Sequence, residues 1–144
     1  MSSSNMAVQS QISRMTVGAV MEREVTTASP QAKGSAIARL MLEGFGGVPI
    51  VDAQRRLVGV VTEHDLLTVI DRGTSLDGIT AEDIMSRNPY SLPPESSVGT
   101  LVHVFRASGL IRAPVVDATG VLVGIVARRD ILRLYVEAAE KPTS

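Results

Sequence analysis

Gly46-Gly47-Val48-Pro49-Ile50-Val51-Asp52, followed after a short turn by Leu57-Val58-Gly59-Val60-Val61-Thr62-Glu63-His64-Asp65-Leu66-Leu67, decides the fold, because the chain contains it twice. The second copy is Ile111-Arg112-Ala113-Pro114-Val115-Val116-Asp117, a turn, then Val121-Leu122-Val123-Gly124-Ile125-Val126-Ala127-Arg128-Arg129-Asp130-Ile131-Leu132. Pro49 with Pro114, Asp52 with Asp117, Gly59 with Gly124 and Asp65 with Asp130 are each 65 positions apart. Upstream, Met21 matches Met85 and Pro30 matches Pro94 at 64, so the second copy has gained one residue between these blocks. A repeat at this period is one structural unit used twice.

Outward from the quoted stretch, each pair of apolar runs predicts an antiparallel hairpin, turning at Ala53-Gln54-Arg55-Arg56 or Ala118-Thr119-Gly120. The nearly continuous runs 48–51 and 57–61 predict strands buried on both faces. Before each hairpin, Ala36, Ile37, Leu40 and Met41, or Val98, Leu101, Val102 and Phe105, have the spacing of one apolar helix face. Gly44 and Ser108-Gly109 end those helices. A closing helix follows each hairpin, over 63–71 and from 128 to about 139. Earlier still, Val25-Thr26-Thr27 and Tyr90-Ser91-Leu92 predict short strands, stopped by Pro30 and Pro93-Pro94. Lead helices begin at Thr16, read as a cap, and at Thr80, which with Asp83 has a capping-box pattern.

Each unit is therefore strand, helix, strand, strand, helix after a short lead helix, an α/β fold of the α+β kind. Residues 1–13, rich in Ser, Asn and Gln, are expected to form a flexible tail. The first repeat spans 16–71, a glycine-rich linker 72–79, the second repeat 80–139 and a C-terminal tail 140–144. Leu40, Met41 and Phe45, with Leu101, Val104 and Phe105, are expected to leave apolar helix surface for a dimer contact.

Composition narrows the function. The 144 residues are 44% hydrophobic but only 3% aromatic, so the core must be aliphatic. A net charge of −1 offers no basic field to recruit nucleic acid. No apolar run reaches the roughly 20 residues of a membrane span, and the N-terminus lacks signal-peptide order, so a cytoplasmic protein is expected. With no cysteine and only His64 and His103 as histidines, a zinc site is not expected. No phosphate-cradling loop ending in Lys-Ser/Thr is present. Glu63, His64 and Asp65 are helix neighbours pointing about 100° apart, so they cannot act together as acid and base. No enzyme is expected.

Both copies resemble cystathionine-β-synthase (CBS) domains, and the chain resembles a stand-alone tandem pair of them, a Bateman module. The resemblance is carried by Met21 and Met85 after the lead helices, the VPIVD and APVVD strands, and the LVGVVTEHDLL and LVGIVARRDIL segments, over roughly residues 16–137. It implies two βαββα repeats packed about a pseudo-twofold axis, with clefts between them for adenosine-containing ligands such as AMP, ADP, ATP, S-adenosylmethionine or NADH. It also implies a homodimer formed through the helices.

The family's ribose pattern falls on Thr62 with Asp65, and on Ala127 with Asp130, where the hydroxyl is missing. An aspartate in a first helical turn can accept from two ribose hydroxyls. The same Thr62–Asp65 pair also reads as a capping box needing no ligand; Ala127 cannot cap, which leaves Asp130 without a reciprocal partner. The base slot falls on Val25, Thr26 and Thr27 with Gly47, Val48 and Pro49, and on Tyr90, Ser91 and Leu92 with Arg112, Ala113 and Pro114; plain loop-to-strand junctions would look alike. Gly46-Gly47 would allow close approach to the main chain. Candidate phosphate donors are His64, Arg112, Arg128 and Arg129.

Two functions follow. One is a regulatory sensor that binds an adenine nucleotide as its ligand, needs no other cofactor, and signals to a separate, unidentified protein. The other is an oligomerisation scaffold with empty or vestigial clefts.

Overall fold

The computed structural model describes residues 3–140, with side chains from residue 6 onward. The elements run α1 (Ser3–Arg14), α2 (Val17–Val20), α3 (Gly34–Leu42), β1 (Gly47–Val51), β2 (Leu57–Thr62), α4 (Glu63–Asp71), α5 (Ala81–Ile84), β3 (Ser86–Arg87), α6 (Val98–Ser108), β4 (Arg112–Val116), β5 (Leu122–Ala127) and α7 (Arg128–Glu140), with a 3-10 turn at Leu76–Gly78. This mixture of helices and strands in two repeats is the expected α/β architecture. The sheets are β1-β2-β3 and β4-β5.

The chain condenses into two units that do not coincide with the two repeats. Among the described residues, one unit holds 24–90 with 118–122, and the other holds 3–23, 91–117 and 123–140. In the first, β1 pairs antiparallel with β2, Val48 beside Val61, and β2 takes β3 on its other edge, Gly59 beside Arg87. β3 and α5 are the second repeat's lead segment. They dock on the first repeat through Ala81 N–H to the Ala32 carbonyl at 2.8 Å and Gly34 N–H to the Ile79 carbonyl at 3.0 Å. Its core joins Ile37, Val48, Ile50, Val61, Leu66, Ala81 and Met85. The tip of the second hairpin also belongs here, with Leu57 N–H on the Gly120 carbonyl at 3.0 Å.

In the other unit the exchange runs in reverse. The first repeat's lead helix, α2, lies with the second repeat: Val17 and Gly18 donate to the carbonyls of Ser96 and Pro94 at 2.7 and 2.9 Å. Glu22 exchanges two 2.9 Å backbone bonds with Ile125 on β5. Both matched methionines end over a matched glycine. A Cβ on Gly59 would stand 2.5 Å from Met85 Sδ and 3.0 Å from its Cβ, and one on Gly124 would stand 2.7 Å from Met21 Cγ and 3.0 Å from the Glu22 carbonyl. Neither glycine has a positive φ, so room for the methionine is what excludes a side chain.

Several expectations need correction. Residues 3–13 are not a flexible tail but most of α1: Val8 and Ile12 fall on one helical face and, with Met15 just past the helix, pack on the core of Leu101, Phe105 and Ile131, Ile12 being only 5% exposed. The polar residues between them hid the stripe. Residues 1, 2 and 141–144 lie outside the described residues, and α7 continues to Glu140. Residues 25–27 and 90–92 do not form strands; pairing shrinks to single parallel bridges, Ala28 with Ile50 and Leu92 with Val115. Pro30 and Pro93 follow closely, and Pro49 and Pro114 themselves lack an N–H, so no ladder can extend. Thr16 precedes α2 without a side-chain cap. Thr80 does form its box, with Asp83 Oδ2 accepting its N–H at 2.9 Å.

Burial on both faces holds for β1 and the middle of β4, whereas β2 from Val58 and β5 alternate. The apolar residues expected at a dimer surface are largely inward: Leu101 and Phe105 are core, and Leu40, Met41 and Phe45 are half-buried. Among the described residues the exposed large apolar side chains are Met6, Leu42, Leu67, Ile70, Tyr90, Val102, Ile111, Leu132 and Val136.

Candidate functional site

In the first unit the register sets Gly47 directly beside Thr62, so the start of β1 and the end of β2 meet at the first turn of α4. Thr62 is the N-cap of that helix, extended at φ −111°. Asp65 Oδ2 accepts the Thr62 N–H at 2.8 Å and its hydroxyl at 3.0 Å, while the Asp65 N–H reaches Thr62 Oγ1 at a long 3.4 Å. The capping box is thus complete without a ligand. It engages one carboxylate oxygen; among the described residues Oδ1 of the half-buried Asp65 accepts nothing. A ribose hydroxyl arriving there would meet a fixed acceptor, since the other oxygen already locks the rotamer.

Val48 is fully buried in the core, so only its backbone can face a ligand. The Pro49 carbonyl already accepts the Ala28 N–H at 3.1 Å, which brings the half-buried Thr26 and Thr27 toward β1. Thr27, however, lines a cavity of about 480 Å³ with Ser29, Gln31 and Asp52, at the opposite end of β1 from Asp65. Gly46 and Gly47 have neither positive φ nor a crowded Cβ position, the nearest atoms standing at 3.7 and 3.9 Å. The fold does not require glycine there, so what it provides is bare main chain. His64 is exposed and sits in a surface depression with Leu67, Ile70 and Asp71, on a different face of α4 from Asp65.

In the second unit, the Arg128 N–H donates to the Ile111 carbonyl at 2.9 Å, which ties the first turn of α7 to the start of β4 and to Arg112. Asp130 has no reciprocal cap, but its Oδ2 still accepts the Ala127 N–H at 3.0 Å. That half of a capping box needs only a backbone donor, so losing the threonine hydroxyl does not abolish it. Its Oδ1 faces Arg133 Nη1 at 3.4 Å, a solvent-exposed pair. Leu92 and Ala113 are buried and can offer only backbone, and the Pro114 carbonyl is taken by the Leu92 N–H at 3.2 Å. Ser91 and Arg112 are half-buried; Arg128 and Arg129 are exposed.

Asp130 lines a cavity of about 360 Å³ with Met15, Val20, Met21, Glu22, Arg133 and Glu137. The sequence reading missed these neighbours, though the Met21–Met85 match and the Asp130–Arg133 helical spacing were signals for two of them. The two first turns differ in charge: Arg128, Arg129 and Arg133 share α7 with Asp130, whereas Glu63 and His64 flank Asp65 on α4. The other matched aspartate, Asp52, has a turn to hold. Its Oδ1 accepts the N–H groups of Gln54 and Arg56 at 2.9 Å and its Oδ2 the Arg56 Nε at 2.9 Å. The Arg56 backbone N–H, above the other contacts, keeps its carboxyl below the usual range. No helix among the described residues is long and apolar enough to cross a membrane.

The CBS domain family matches the chain twice, over residues 17–72 and 81–137. An uncharacterised Methanopyrus kandleri protein is 37% identical over 122 residues, covering 83% of this chain and 62% of its own. The chain spans only 21% to 41% of other curated relatives that it matches. The Arabidopsis thaliana CBS-pair protein CBSX2, in complex with AMP, superposes with a TM-score of 0.80 at 26% identity, over 88% of this chain and 99% of that one. The CBS domain pair of protein MJ0100, bound to 5-methylthioadenosine and S-adenosylmethionine, gives 0.74 at 26% identity, over 85% and 97%.

Proposed function

This chain belongs to the CBS domain family, and from that membership we propose that it is a regulatory sensor of adenosine-containing nucleotides, acting in the cytoplasm on a separate protein and working as a homodimer paired through its helices. The observation that carries the reading is Asp65: a carboxylate whose Oδ2 is held by Thr62 and whose Oδ1 is left for a ribose, beside glycines that the fold itself does not need. Thr26, Gly47, Val48 and Pro49 complete this site, whereas Thr27 lines the cavity at the far end of β1 and His64 lies on another face of α4.

The second site uses Asp130 with Ser91, Leu92, Arg112, Ala113, Pro114, Arg128 and Arg129. Its arginines suit a ligand carrying more phosphate. That AMP, 5-methylthioadenosine and S-adenosylmethionine occupy related CBS pairs supports the ligand class. Regulation requires that the ligand bind two conformations of the module with different affinity. The adenine nucleotide is the regulatory ligand itself, and no other cofactor is required.

A thermal-shift panel of AMP, ADP, ATP, S-adenosylmethionine and NADH, followed by calorimetry, tests the proposal. Saturable stabilisation by at least one compound is expected. If none binds, the scaffold reading takes over. One observation favours that alternative: both aspartates already hold a backbone N–H without any ligand.

A further inference from the structure

Among the described methionines, Met21 is set apart by where its sulfur stands. Met6 is 58% exposed on α1, and Met85, at the position matching Met21, is 9% exposed within a core. Met21 is half-buried: its thioether rests on Gly124 and also lines the cavity of about 360 Å³ that runs between α2 and α7. An electron-rich sulfur is thus packed as a structural plug yet reached by a small solute. The chain has no cysteine, so its thioethers are the side chains most open to peroxide.

We propose that Met21 is an oxidation site, converted by hydrogen peroxide to the sulfoxide, and that the change unseats it from Gly124. A sulfur lone pair attacks one peroxide oxygen and forms the S–O bond. The O–O bond breaks, and the departing hydroxide takes the proton left on the transferred oxygen, so water leaves. Sulfur loses two electrons and the peroxide gains them. Methionine sulfoxide reductases undo the step.

The socket does not suit the product. A Cβ on Gly124 would stand 2.7 Å from Met21 Cγ and 3.0 Å from the Glu22 carbonyl, so the space is filled and the polar group beside it is an acceptor. A sulfoxide oxygen is an acceptor too and needs a donor. Arg133, which lines the same cavity and stands 3.4 Å from Asp130 Oδ1, is one. Oxidation therefore draws the side chain off Gly124 into the cavity, and it loosens the two bonds between Glu22 and Ile125 that hold this segment on β5. Met85 lacks that outlet, since Ile37, Ile50, Val61 and Ala81 around it offer no donor side chain. The displaced sulfoxide also crowds Asp130; that consequence rests on the ligand reading above, whereas the modification itself does not.

Dilute hydrogen peroxide tests this, with samples taken over time for peptide mass spectrometry and for thermal unfolding by circular dichroism. Met6 should oxidise first without moving Tm. Met21 should follow, ahead of Met85, and its sulfoxide should rise in step with a fall in Tm of roughly 4–8 °C, the scale of emptying a side-chain socket. Met21→Leu should abolish that fall, and Met15→Leu should leave it intact. Met21→Gln, a side chain of similar length ending in a polar amide, should lower Tm without peroxide, which keeps the test open if leucine fits the socket poorly. The proposal is overturned if Met21 oxidises no faster than Met85, if the fall follows Met15 or Met85 instead, or if Met21→Gln melts with the wild type. No nucleotide enters these measurements, so their failure and the failure of the sensor reading are told apart.

Discussion

Replacing Gly59 by alanine tests the exchange of lead segments, because the added methyl would sit where Met85 does. It would stand 2.5 Å from Sδ, 2.7 Å from Cγ and 3.0 Å from Cβ. Rotating the thioether relieves the first two contacts, but the third is fixed by the backbone of the α5–β3 connection. Relief therefore means parting β3 from β2 at the Gly59–Arg87 pair. Overpacking of this kind costs about 1–3 kcal/mol, or a fall in Tm of roughly 2–4 °C for each kcal/mol in a chain of this length. Urea unfolding followed by circular dichroism measures it, since the chain has no tryptophan. Met85→Ala alone should cost about 2–5 kcal/mol as a cavity. The double variant should fall short of the sum by at least about 1 kcal/mol, because the new methyl occupies part of that cavity. Strict additivity, or a Gly59→Ala midpoint equal to wild type, would mean that Met85 does not lie over Gly59 and that the exchanged packing is wrong.

Asp65→Asn keeps an oxygen to accept the Thr62 N–H but loses the charge; calorimetry should show ligand affinity at the first site down about ten- to a hundredfold, from the roughly 1.5–3 kcal/mol of a hydrogen bond to a charged group, with little change in Tm. An unchanged affinity would leave Asp65 as a cap only. For Asp52, whose folded pKa is depressed, the stabilisation is present above the unfolded value of about 3.9 and is lost as pH falls through the lower folded value. Asp52→Asn should therefore flatten the acid limb of a midpoint-against-pH curve below about pH 4, and an acid limb identical to wild type would discount the turn. Ile12→Ala should destabilise by about 2–4 kcal/mol in urea unfolding, whereas a loosely attached tail would tolerate it.

The duplication, the hairpins and the closing helices were legible because each rests on local pattern: apolar runs of strand length, helical spacing, and a period that aligns Pro49 with Pro114. The capping boxes at Thr62 and Thr80 were legible for the same reason, since a three-residue spacing is complete within the sequence. Helix α1 was not, because Val8 and Ile12 are apolar only as a stripe among polar neighbours, and that stripe has meaning only once a core exists to receive it. Residues 25–27 and 90–92 read as strands from their composition, yet a strand needs a partner with free N–H groups, and Pro49 and Pro114 have none. The sequence showed Met21 matching Met85 and Gly59 matching Gly124, but a period cannot say which methionine covers which glycine. Tertiary packing decided that, crossing Met85 to Gly59 and Met21 to Gly124, because the contact is made by chain segments far apart in sequence. Asp130 makes the same point at the candidate site: its missing threonine and the helical spacing to Arg133 were plain from the sequence, while the Ala127 N–H that takes its Oδ2 became visible only when the end of β5 turned into α7.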